Sequence, residues 1–341
     1  MNKIKQGLCF DDVLLKPQYS DIRSRKEVNT NVKLSSASTL GIPIVSSPMD
    51  TVTESSMAGA MIDCGGLGII HRYNTIERQS SLVSETLRQS ITGLVGVAVG
   101  VSGDYLDRAI SASEAGARVI CVDIAHGHHI LMKSAIQELR KIFADKVHIM
   151  AGNVATLEAF NDLSDWGADS IRVGVGGGSI CSTRIQTGHG IPTLQSIMDC
   201  SQTDRDSLLI ADGGIKNSGD IVKALAAGAD MVMLGSMLAG ATETPGEIIY
   251  LDGGRCKAYR GMASKDAQIQ WRGHTASIEG VSSTVPLKGD VKDIISEIMT
   301  GVRSGMSYTG ARSIAELQAA SSFIRQTSAG SVESSTHINR V

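Results

Sequence analysis

The sequence predicts an α/β fold, a (β/α)8 TIM barrel with a catalytic lid inserted after the eighth strand. Three observations carry that expectation. One helix–strand junction recurs: Glu114-Ala115-Gly116-Ala117-Arg118-Val119-Ile120 returns as Trp166-Gly167-Ala168-Asp169-Ser170-Ile171 and as Ala227-Gly228-Ala229-Asp230-Met231-Val232. A glycine at that point lets a helix end in the left-handed conformation before a buried strand begins. Apolar, strand-like runs occur near 42–46, 67–71, 94–99, 118–124, 147–151, 170–174, 207–211 and 230–235. Segments with helical spacing fall between them, such as Ile76 to Leu87, Tyr105 to Ala115 and Ile130 to Phe143. Alternation of this kind implies a parallel sheet, and about eight units suit a closed barrel. An open doubly wound sheet is the alternative. Its dinucleotide fingerprint fails here, because Ser179 stands where a third glycine belongs after Gly174 and Gly176.

At 341 residues the chain suits one large catalytic domain spanning 1–341. Its start, Met1 to Gln6, lacks the apolar centre of a signal peptide, and no run is long enough to span a bilayer. Lys and Arg total 32 against 35 Asp and Glu, so neither nucleic acid nor a membrane is implied as a partner. Cysteines at 9, 64, 121, 181, 200 and 256 form no C-x-x-C pair, which points to a reducing cytoplasm. Residues 248 to 290 interrupt the barrel with a hairpin-like turn, Asp252-Gly253-Gly254-Arg255, and a polar stretch without sustained periodicity. An excursion this long inside a compact domain reads as a lid or a disordered loop. The Ser/Thr-rich arm 321–341 reads as a frayed end.

The sharpest chemical signal is Gly174-Val175-Gly176-Gly177-Gly178-Ser179-Ile180-Cys181-Ser182-Thr183-Arg184. It follows the apolar run Ser170-Ile171-Arg172-Val173, so it leaves the carboxyl end of a strand, where parallel folds place their chemistry. The glycines let backbone N–H groups approach an anion, and the Cys181 thiol is a candidate nucleophile with a hydroxyl two residues on. A cysteine in a tight turn also serves as a small buried hydrophobe. The following loops make the difference. Asp212-Gly213-Gly214-Ile215 and Gly235-Ser236-Met237 come after the seventh and eighth runs, the usual phosphate position in barrels. Ser179 and Ser236 add hydroxyls, and Asp212 suits ribose hydroxyls better than phosphate, so a ribose 5′-phosphate is the expected ligand.

These loops, with Thr187-Gly188-His189-Gly190-Ile191-Pro192, Phe10-Asp11-Asp12-Val13-Leu14-Leu15, Ser46-Ser47-Pro48-Met49-Asp50-Thr51-Val52 and Tyr259-Arg260-Gly261-Met262, resemble the inosine monophosphate dehydrogenase/guanosine monophosphate reductase family. The likeness runs from about Phe10 to His337. It implies that Cys181 attacks purine C2, with Thr183 beside the entering or leaving group and Glu279 as the lid carboxylate that shares its proton. It also implies a purine mononucleotide held by Ser47, Met49, Ser179, Asp212, Gly214, Gly235, Ser236, Tyr259, Gly261 and Met262. Asp123 and Asn153 fall on the nicotinamide side. A potassium ion on the carbonyls of Gly176, Gly178 and Cys181 and a homotetramer are further family expectations.

Both family reactions pass through one covalent C2 adduct, so the lid decides the direction. Family dehydrogenases carry an Arg-Tyr pair there to activate water; Gly261 to His274 contains none, and Arg272 is followed by glycine. The paired CBS regulatory module inserted in family dehydrogenases is also missing, since Arg88-Gln89-Ser90-Ile91-Thr92-Gly93 runs straight to the next strand. The resemblance therefore implies reduction of GMP by NADPH, with oxidation of IMP by NAD as the alternative. The tail Phe323 to Gly330 with Glu333-Ser334-Ser335-Thr336-His337 resembles the dehydrogenase C-terminus and favours that alternative. A nucleotide-binding regulator without turnover is a second alternative, opposed by intact Cys181, Thr183 and Glu279. His126-Gly127-His128 has metal-like spacing but no evident third ligand. Trp271 is either a stacking partner for a ring of the ligands or an anchor for the lid.

Overall fold

The computed structural model describes residues 4–90, 93–251, 253–334 and 336. Eight strands form the barrel: β1 (Ile44–Ser46), β2 (Leu67–Ile70), β3 (Val95–Val99), β4 (Val119–Asp123), β5 (His148–Val154), β6 (Ser170–Val173), β7 (Leu208–Asp212) and β8 (Met231–Leu234). All neighbours are parallel, and the ring closes where Val232, Met233 and Leu234 pair with Ile44, Val45 and Ser46. Each strand coincides with one of the apolar runs. Almost every strand residue is buried, because helices cover the outside and side chains fill the inside. Removing a side chain such as Ile44 or Ile69 from water stabilises the fold by about 1.5–3 kcal/mol.

The helices between strands follow from their caps and stops. Thr75 accepts from Arg78 N to start Ile76–Gln89, Thr156 from Ala159 N to start Leu157–Asp165, and Asn217 from Asp220 N to start Ser218–Ala226. The recurring junction ends three helices in one way. At Gly167 (φ 111°) the chain reverses, Gly167 N–H donates to Ser164 O and Ala168 N–H to Leu163 O. That closes the final turn and feeds Asp169 into β6.

Two expectations need correction. The excursion 248–290 is ordered: Ile249–Leu251 and Gly254–Arg260 form an antiparallel hairpin, Ser282–Pro286 adds a third strand, and Lys265–Arg272 is a helix. That helix is eight residues long, capped by Ser264 and stopped at Gly273 (φ 74°), too short to show a helical period. Asp252 lies outside the described residues. The arm is likewise tied down, since Phe323–Arg325 pairs antiparallel with Val13–Leu15 and Ser328–Glu333 is helical. Ser335 and residues 337–341 lie outside the described residues. Among the described residues, no helix is long and apolar enough to cross a membrane.

Candidate active site

A cavity of about 440 Å³ opens at the carboxyl ends of the strands. Two glycines bring its floor together. A Cβ on Gly174 (φ 148°) would fall 1.9 Å from Asp212 O, and one on Gly213 (φ 92°) would fall 3.0 Å from Gly178 N. Backbone from the β6 and β7 loops is therefore in direct contact, which only glycine allows. At the end of β8, Gly235 faces Met49 Sδ and Tyr259 Oη, each 3.2 Å from where a Cβ would sit, and Ser47 Oγ at 3.4 Å. Tyr259 comes from the lid hairpin; its hydroxyl lies 3.4 Å from Ser179 Oγ, and burial pushes the phenol pKa up.

The lid places the carboxylate. Residues 279–281 run beside the cysteine loop, with Ser182 N–H donating to Glu279 O at 3.0 Å and Val281 N–H to Ile180 O at 3.0 Å. Their backbone register carries Glu279 to Thr183. The Cys181 thiol donates to Thr183 Oγ1 at 3.2 Å, and that hydroxyl donates to Glu279 Oε2 at 2.8 Å. Thiol, hydroxyl and carboxylate form one continuous line across the cavity mouth. Such a line can carry a proton between a covalent adduct and a carboxylate.

On the opposite wall, Asn153 donates to Gly174 O and to Asp212 Oδ2, both at 2.9 Å. Arg172, buried in β6, joins Asp123 at 2.6 Å to Asp212 at 2.9 Å. Burial opposes its charge, but the Cys121 thiol and the two carboxylates hold its pKa well above the ordinary value. All the residues expected from sequence line this one cavity: Ser47, Met49, Asp123, Asn153, Gly176, Gly178, Ser179, Cys181, Thr183, Asp212, Gly214, Gly235, Ser236, Tyr259, Gly261, Met262 and Glu279. A second cleft of about 300 Å³ shares Arg72, Ile124 and Arg272 with it, so the two hollows adjoin.

Sequence reasoning missed Arg172, although one cation inside an otherwise apolar strand was the available signal. It also missed Arg72, Tyr73, Gln268 and Ser277, which line the cavity too. Trp271 acts as the lid's anchor in this structure: it stacks on Tyr73 with centroids 6.0 Å apart and planes 16° apart. Among the described residues, no group of three or more His, Cys, Asp or Glu side chains could hold a metal ion beside His126 and His128. His128 Nε2 lies 2.8 Å from Asp162, and His129 caps its helix by accepting from Leu131 N–H. For potassium, the carbonyls of Gly176, Gly178 and Cys181 are of the right hard-oxygen type. Gly178 O accepts from Cys181 N–H at 3.1 Å, which leaves its second lone pair available.

A family model described as the IMP dehydrogenase / GMP reductase domain matches residues 7–337. The chain is 36% identical to an inosine-5′-monophosphate dehydrogenase of Nitrosopumilus maritimus over 471 aligned positions, covering 98% of this chain and 99% of that protein. A GMP reductase of Leishmania major is 34% identical, covering 98% and 97%. A crystal structure of a GMP reductase variant from Trypanosoma brucei, in complex with guanosine 5′-monophosphate, superposes with a TM-score of 0.95 at 34% identity and covers 99% of both chains. Relatives of both names are oxidoreductases and align with nearly the whole chain. This chain is an oxidoreductase and belongs to the IMP dehydrogenase / GMP reductase family.

Proposed function

We propose that this protein reduces GMP to IMP and ammonia with NADPH, through a covalent adduct of Cys181 at purine C2. The observation that carries the reading is the Cys181–Thr183–Glu279 line, at 3.2 and 2.8 Å, in a lid that offers no water-activating Arg-Tyr pair. Arg272, a cation of the lid helix, lies over the Tyr73 ring at 5.9 Å. The GMP complex of the Trypanosoma brucei structure supports a purine mononucleotide in the cavity.

The phosphate sits on the N–H groups of Gly214, Gly235 and Ser236, with the hydroxyls of Ser179 and Tyr259, and the ribose hydroxyls on Asp212. Cys181 adds to C2 as a thiolate. The C2 amine takes a proton through Thr183 from Glu279 and leaves as ammonia, so the C2–S bond replaces the C2–N bond. Asp123 and Asn153 would hold NADPH, which when bound would supply the hydride at C2. The C2–S bond then breaks and the thiolate returns, leaving IMP.

One observation favours the second reading, oxidation of IMP with NAD. An adjacent Arg72–Tyr73 pair does line the cavity, from the loop after β2 instead of the lid. Arg72 faces Asp123, 3.9 Å from its carboxylate and 3.4 Å from its carbonyl, while its buried Nε makes no hydrogen bond among the described residues. The family's homotetramer, a cytoplasmic setting, the potassium site and a single domain without a CBS module belong to the same proposal. Purified protein with GMP plus NADPH, and separately IMP plus NAD, followed by nicotinamide absorbance, tests it. NADPH consumption with ammonia release is expected. Efficient steady-state oxidation of IMP overturns it.

A further inference from the structure

Glu279 has two carboxylate oxygens, and the line to Cys181 uses one. The other, Oε1, accepts from Ser277 Oγ at 2.9 Å. Cys181, Thr183 and Glu279 are all half-buried, whereas Ser277 is exposed. The hydroxyl chain thus runs without a gap from the thiol to the protein surface. Ser277 is also held in place: the buried Gln268 donates to Ser277 O at 2.8 Å and to Ala263 O at 3.0 Å, and accepts from Ala276 N–H at 2.7 Å. A surface serine whose backbone is clamped by a buried amide is built to point one way.

Resting on the reductive reading above, we propose that Ser277 is the solvent-side end of the proton relay, a positioning residue that recharges Glu279 from water. The chemistry requires such a supply. Each turnover passes one proton through Glu279 to the departing amine, so the carboxyl must regain a proton from solvent before the next. After Glu279 has given its proton through Thr183 to the leaving amine, it is a carboxylate. Ser277 passes its hydroxyl proton to Oε1 and takes another from a hydronium ion or a buffer acid at the surface, leaving only water or the conjugate base behind. A half-turn of the carboxyl group then presents that proton to Thr183. No other reactant is needed, and charge and protons balance.

The test uses the full chain with GMP and NADPH. Ser277→Ala is expected to lower kcat by about tenfold, less than the roughly 100-fold or more of a group that exchanges a proton with the reacting atoms, with little change in KM for GMP. Raising the concentration of a small diffusible buffer acid such as imidazolium should restore much of that rate, and Ser277→Thr should recover most of it without added buffer. A kcat for Ser277→Ala within twofold of the parent overturns the proposal. So does a loss that neither buffer nor threonine relieves. Glu279→Gln assayed in parallel separates the two levels. If it loses turnover while Ser277→Ala does not, only this inference fails; if it keeps full turnover, the reading of Glu279 as proton donor fails with it.

Discussion

Arg172 Nη2 lies 2.9 Å from Asp212 Oδ2, and the same guanidinium reaches Asp123 at 2.6 Å. One buried side chain thus fixes a carboxylate on the nucleotide side of the cavity and another on the cofactor side. Its removal leaves two poorly solvated carboxylates facing each other, a mechanism that typically costs about 3–5 kcal/mol. Arg172→Met is expected to lower kcat/KM by roughly 100-fold and raise KM for both substrates, because each carboxylate loses its orientation. Arg172→Lys should recover only part of this, since an ammonium cannot fork between two partners. Steady-state kinetics with each substrate varied in turn checks it; unchanged KM values would limit Arg172 to holding the barrel together.

Cys181→Ala should abolish turnover while leaving GMP affinity within about tenfold. In the mechanism proposed above the thiol forms the adduct, whereas the phosphate and ribose contacts would carry the affinity. Calorimetric titration beside a turnover assay reads both quantities, and substantial turnover in the variant rules out covalent catalysis.

The lid helix rests on the barrel through Trp271 against Tyr73. A stacked aromatic pair is worth about 0.5–1.5 kcal/mol beyond its buried area. Trp271→Ala should therefore lower kcat/KM by roughly 2–10-fold with little change in Tm, because the lid opens while the barrel stays intact. Limited proteolysis of residues 265–280 should accelerate in step. Equal proteolysis rates for parent and variant would place the lid's anchorage elsewhere.

Tyr73 is itself held from below. Its N–H donates to His71 Nδ1 at 3.1 Å, which leaves the proton of the buried ring on Nε2, facing Glu54 Oε1 at 3.0 Å. That hydrogen bond is the main reason the Glu54 pKa lies below its ordinary value, despite burial working the other way. A depressed carboxylate pKa means stability that is present above the unfolded-state value and lost as pH falls through the folded one. Thermal melts between about pH 6 and pH 3.5 should show a smaller acid-side loss of Tm for Glu54→Gln than for the parent. Identical slopes would mean that other carboxylates govern acid unfolding.

The barrel was legible because its signals are local. Each strand is an apolar run, and each Gly-Ala junction marks a helix end whose hydrogen bonds close within six residues. The cavity was legible for a related reason: loops after consecutive parallel strands must lie side by side, so Cys181, Asp212 and Gly235 had to meet. What escaped depends on partners distant in sequence. The tail strand Phe323–Arg325 exists because Val13–Leu15 pairs with it, and three residues carry no period of their own. Gln268 and Ser277 gained their roles only once the lid folded back on Glu279, since neither their type nor their spacing set them apart from a solvated surface.

The pairing of the two chain ends has a consequence for synthesis. Gln326 donates to Asp11 O and Asp12 O, clasping residues 10–12, and the Phe10 ring lies 3.7 Å from where a Cβ on Gly214 would sit. The floor beneath the phosphate loop is therefore made from the start of the chain and braced by its finish. A ribosome carrying a nascent chain through Glu279 has made every residue that lines the cavity, yet the brace at Gln326 is still unmade. Binding competence should accordingly arrive late, with release of the tail, and not grow in proportion to the length translated.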